Sequence, residues 1–169
     1  DHPLLLRLLP GYLAKGQPGA LNIAWWAARN GQPAVLPGAL VAALSALRGG
    51  TATSSDRNAA AALLVDYGSD AQFAEFMAIF AAGDGKGRYL MWQAPYADKG
   101  QRALRMIATL LADERIFSGG MRFCDLAGAR FQELTGQRFG FTSWNQDIAG
   151  RNAALAKARR WIATSSGLR

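Results

Sequence analysis

Glycine and proline cut this chain into helix-length pieces, and no run of β-branched residues between the cuts shows the alternation of a strand. "PGALVAALSALRGG" (37–50) opens with Pro in the first turn and closes on paired glycines, the usual asymmetry of helix ends. "GALNIAWWAARNG" (19–31) stops at Asn30-Gly31, and "SSDRNAAAALLVDYG" (54–68) offers a Ser N-cap and Gly68 as a stop. "SDAQFAEFMAIFAAG" (69–83) begins with Ser69 and Gln72 at capping-box spacing. Phe73, Phe76, Met77 and Phe80 then fall on one helical face. Residues 3–9 read as a short helix stopped by Pro10-Gly11, and "RYLMW" (88–92) as one helical turn after the loop "GDGKG".

The second half continues the pattern. A helix is expected over 98–114, with Leu104, Ile107, Ala108 and Leu111 as its apolar stripe. Another spans 121–136, with Cys124, Ala127, Phe131 and Leu134 inward and Gly136 as a left-handed stop. The last starts near Ser143, capped by Ser143 and Gln146, and carries Ile148, Leu155 and Ile162. Ala and Leu dominate while Val and Ile are scarce, which favours helix over sheet. The expectation is one all-α domain over residues 1–169, with about seven helices in antiparallel pairs, as an α-solenoid or an irregular helical bundle.

The segment "DERIFSGGMRFCDLAGARFQELTGQRFGF", with an Arg-rich helix and Trp161 behind it, carries one resemblance. Arg122, Cys124-Asp125, Leu126-Ala127, Leu134-Thr135-Gly136-Gln137, Phe139-Gly140, Arg151 and Trp161 are the matching residues. The segment resembles the closing repeat of bacterial HEAT-like helical repeat proteins, over residues 113–162. It departs from that pattern in lacking an Asp-Pro step after Phe141 and in having Ile162 after Trp161. The resemblance implies a HEAT-like solenoid whose final helix covers the last open apolar face, with Phe139 and Phe141 folded onto the stack. On this reading the "TGQRFG" turn is scaffold rather than ligand contact.

Charge is uneven. The chain carries a formal net charge of +7 over 169 residues. Residues 1–97 hold seven basic against six acidic side chains, and residues 98–169 hold twelve against six. A basic second half invites nucleic acid or an acidic partner, although no aromatic–basic reader motif accompanies it. Arg102, Arg105, Arg122 and Arg151 would form a binding face if the helices line them up. Trp25 and Trp26 point about 100° apart on a helix, so one packs inward and the other is a candidate contact. Trp92 and Tyr96, flanking Pro95, are candidates to line a groove.

Residues able to do chemistry are few. His2 is the only histidine, which leaves no relay for a nucleophile and no histidine metal site. Cys124, the only cysteine, lies on an apolar stripe and reads as a small hydrophobe. "GDGKG" lacks the spacing and the hydroxyl residue of a phosphate loop. Asp113 and Glu114, near Arg115 and Arg122, read as a salt-bridged turn.

The sequence therefore points to a non-catalytic helical scaffold that binds another protein, with no cofactor, no metal and no assigned catalytic residue. The alternative is a nucleic-acid-binding helical domain using a basic face in residues 98–169, an outcome that HEAT-like folds accommodate. Third comes an enzyme with an Asp/Arg site. "LLLRLLPGYL" is too short to cross a bilayer. The missing initiator Met fits processing, and with it a periplasmic or secreted location, or a piece of a longer protein; the cytoplasm is the alternative.

Overall fold

A computed structural model describes residues 3–50, 52–83, 100–142 and 147–165. Its fold is all-α, with eight α-helices and one two-stranded hairpin among the described residues. The chain divides into two compact units, Asp1–Asp98 and Lys99–Arg169.

Unit 1 contains α1 (Pro3–Ala14), α2 (Ala20–Arg29), α3 (Leu36–Gly49), α4 (Ser54–Tyr67) and α5 (Asp70–Ala82), with a 3₁₀ turn at Pro33–Val35. Its centre is α4, which packs against α2, α3 and α5. Ala59, Ala60, Ala61, Ala62, Leu63, Leu64 and Val65 are all buried, consecutive residues on every side of the helix. A helix apolar all round belongs inside a fold. The alanines let its neighbours approach closely, and Ala24, Ala27, Ala39 and Ala43 of α2 and α3 are buried too.

Helix ends follow the sequence closely. Ser69 accepts from the Gln72 amide and Gln72 accepts in return from the Ser69 amide, closing the expected capping box of α5. Phe73, Phe76 and Phe80 are buried as its stripe, and Gly50 ends α3 in left-handed conformation. Two details differ. The N-cap of α4 is Thr53 rather than a serine, its hydroxyl accepting from the Asp56 amide at 3.1 Å. Pro10 does not stop α1, which runs on to Ala14. An internal proline costs about 3 kcal/mol. Buried Leu9 and Leu13, on either side of it, each return about 1.5–3 kcal/mol.

Unit 2 contains α6 (Gln101–Leu110), β1 (Ile116–Ser118), β2 (Met121–Arg122), α7 (Phe123–Thr135) and α8 (Ile148–Thr164). α7 lies against both α6 and α8. The stripe of α6 is rotated from the expected one: Ala103, Met106, Ile107 and Leu110 are buried, whereas Leu104 and Ala108 are only half-buried. Ile107 and Leu111 are buried as expected, and α6 ends early at Leu110. Arg159 of α8 covers that end, donating to the Leu111 carbonyl through Nε at 3.1 Å and Nη2 at 2.6 Å.

The hairpin is absent from the sequence-based expectation. Residues 116–122 fold into an antiparallel pair joined by Gly119-Gly120, with φ of 55° and 77°. Two successive positive φ values define the tight turn that suits strand twist, and glycine adopts them without strain. The start of α8 also moves: its N-cap is Asp147, accepting from the Gly150 amide at 2.6 Å. Ser143 with Gln146, the "RYLMW" turn, and all of "GDGKG" beyond Gly83 lie outside the described residues.

Candidate functional site

In unit 2 the hairpin, the first turn of α7 and the first turns of α8 meet around one carboxylate. Asp125 is almost wholly buried. It accepts from the Arg122 amide at 3.0 Å and from the Arg122 guanidinium at 3.1 and 2.8 Å. Arg151, arriving from α8, donates to it at 3.0 Å. Arg122 also donates to Asn152 at 2.7 Å, and Arg151 to the Gly120 carbonyl at 3.3 Å. The buried Nε–H of Arg151 meets no acceptor among the described residues. Burial pushes the Asp125 carboxyl toward protonation. The hydrogen bonds and charges of Arg122, joined by the charge of Arg151, outweigh it and leave the pKa below its ordinary value. The hydrogen bond to Asp125 pushes the Arg122 pKa up against the effect of its own burial.

This arrangement suits a frame better than a reaction. Asp125 is almost wholly buried, and both its oxygens accept from the flanking arginines, three bonds on Oδ2 and one on Oδ1. Asp113, also buried, is gripped by Arg115 through Nε at 2.8 Å and Nη2 at 2.6 Å. The salt-bridged turn expected from the sequence is thus present. Cys124 is fully buried, and burial raises its pKa, so its sulfur stays a neutral thiol near pH 7. Among the described residues no group of His, Cys, Asp and Glu is placed to hold a metal ion.

A second device fixes the loop that follows α7. The Gln132 side-chain oxygen accepts from the amides of Phe139, Gly140 and Phe141 at 2.9, 3.1 and 3.3 Å, while its nitrogen donates to the Phe141 carbonyl at 2.8 Å. So anchored, Phe139 is buried and meets Phe131 and Trp161 with ring centroids 5.9 and 6.0 Å apart. The tip of the Phe141 ring lies against Gly128, where a Cβ would fall 2.1 Å from Cζ. Gly128 is therefore a fitting residue for that ring. The "TGQRFG" turn is structural in this fold.

The candidate binding residues scatter. Arg122 and Arg151 converge, but on Asp125. Arg102 and Arg105 sit on α6 and have no part in that cluster. Trp25 and Trp26 divide as their spacing requires: Trp25 is half-buried beneath the Arg29 guanidinium, 4.9 Å from its ring centroid, and Trp26 is exposed. Trp92 and Tyr96 lie outside the described residues. Apolar exposure falls elsewhere: Ile148, expected on the apolar stripe of the last helix, faces solvent because α8 begins there, and Ile116 and Phe117 were assigned no contact role. Ile116 is 63% exposed and Phe117 38% on β1, and Ile148 is 57% exposed one turn before Arg151. The Gly119-Gly120 pair was the available signal for a hairpin there. Compared with protein-family models, curated proteins and solved structures, the chain matches none.

Proposed function

We propose that this chain is a non-catalytic helical module that recognises another protein, with the hairpin side of unit 2 as the contact. The observation that carries the reading is the exposure of Ile116, Phe117 and Ile148 on a frame whose buried charges are spent on one another. The likeness of residues 113–162 to a HEAT-like closing repeat belongs to the same proposal. It is supported by the packing of Phe139 on Phe131 and Trp161.

A photo-crosslinking amino acid placed at 116 or 148 tests it in extract of the source cells, with position 157 on the exposed side of α8 as control. The expected result is a shared protein adduct at 116 and 148 that position 157 does not give. The same adducts at all three positions, or none, would contradict the proposal. A duplex DNA titration forms the second arm: tight binding with a steep salt dependence would transfer the function to nucleic acid.

A further inference from the structure

α1 is apolar on two sides and buries only one. Leu9 and Leu13 are buried against the unit, whereas Leu4 is 63%, Leu8 44% and Tyr12 38% exposed. At about 100° per residue, Leu4, Leu8 and Tyr12 share an outward arc of about 140° with Arg7, Gly11 and Lys15. Both cations are exposed. Residues 2–55 contain no Asp or Glu, but they include Arg7, Lys15, Arg29 and Arg48. We infer that the outward face of α1 docks on an anionic membrane surface, with Leu4 and Leu8 in the acyl boundary and Arg7 and Lys15 on lipid phosphates.

Charge and area select this occupant. A second copy meeting the same face would bring Arg7 and Lys15 toward their own kind, with no carboxylate on the helix to receive them. A protein partner needs roughly 800 Å² per side, and a helix about 18 Å long and 10 Å wide presents a fraction of that. Shallow insertion has no such threshold, because each apolar side chain contributes as it leaves water. Tyr12 suits the headgroup level, where an apolar ring with a polar tip is favoured. Long basic side chains reach back from apolar surroundings to phosphate. The contact is peripheral, since among the described residues no helix is long and apolar enough to cross a membrane.

Flotation of the full chain with vesicles tests the inference, comparing phosphatidylcholine alone with phosphatidylcholine containing about 30% phosphatidylserine at low salt. Binding to the anionic vesicles is expected, about tenfold or more tighter than to the neutral ones and weakened by salt. Leu4→Ser with Leu8→Ser, and separately Arg7→Glu with Lys15→Glu, should each cut binding about tenfold. Circular dichroism should show unchanged helix content. Lys157→Glu with Arg160→Glu, on unit 2, should leave binding within about twofold, which separates α1 from general basic attraction. No flotation with the anionic vesicles overturns the inference, as does equal loss in the unit 2 variant. A dimer in sedimentation that Leu4→Ser with Leu8→Ser dissolves, or preference for polyglutamate over vesicles, also overturns it.

Discussion

Each unit of this chain buries a carboxylate at the start of a helix, and the two are satisfied by different means. Asp56, at the start of α4, accepts from the Gly19 amide with both oxygens at 3.1 Å and from the Thr53 hydroxyl at 2.8 Å. Its partners are neutral, helped by the positive end of α2. Asp125 takes two guanidiniums. Unit 1 thus settles its buried charge with amides and leaves Arg7 and Lys15 at its surface. Unit 2 draws Arg122 and Arg151 inward to Asp125, while exposed Arg115 and Arg159 reach from the surface to Asp113 and to a helix end. Arginines of both units are engaged within their own structure, Arg29, Arg48 and Arg57 of unit 1 among them, so the larger formal charge of unit 2 does not translate into more unengaged arginine on the binding face. Net charge counted along a sequence is therefore a poor guide to where a partner finds positive charge.

The largest expected effect lies in unit 2. Asp125→Ala strands two buried guanidiniums and should destabilise that unit by about 3–5 kcal/mol, measured by denaturant unfolding. The pH dependence has a fixed sign. Because the folded pKa of Asp125 is depressed, its contribution is complete above the ordinary carboxylate value of 3.8 and is lost as pH falls through the lower folded value. An acid titration should therefore loosen unit 2 only below that ordinary value.

Added volume in the wall of α4 comes next. Ala61→Leu in the fully buried wall of α4 should cost about 1–3 kcal/mol through overpacking, and Lys157→Leu on the exposed side of α8 should cost nearly nothing. Equal losses in the two variants would erase the distinction. Gly128→Ala sharpens the comparison within unit 2. It should displace the Phe141 ring and cost about 1–2 kcal/mol, and the loss should largely vanish in a Phe141→Ala background, as a double-mutant cycle would show. The smallest effect is expected for Thr53→Ala, about 1 kcal/mol from a lost N-cap.

Much of this was legible in the sequence because it is local. Ser69 with Gln72, and the glycines at 50 and 136, mark their helix ends without reference to the rest of the chain. Cys124, Ala127 and Phe131 of α7 are buried as their spacing predicts, whereas Leu134 is only half-buried. Packing-dependent features were not legible. An Ala-rich run gives no periodicity from which to infer that α4 is central, because its burial on every side comes from its neighbours. Pro10 marks a helix stop by its own chemistry, and only the burial of Leu9 and Leu13 carries α1 through it. Arg122 and Arg151 were visible only as two members of an expected basic face with Arg102 and Arg105. Their commitment to Asp125 depends on α8 returning beside the hairpin, which spacing does not reveal.

Cys124, the lone thiol, sits fully buried next to Asp125 and so reports directly on whether arginines hold unit 2 closed. Its labelling rate by a neutral thiol reagent should be slow in the native protein at neutral pH. It should rise about a hundredfold or more in Asp125→Asn, since local opening scales with the stability removed. An unchanged rate in that variant would mean the ion cluster does not secure the unit, and the contrast between the two halves of the molecule would fail.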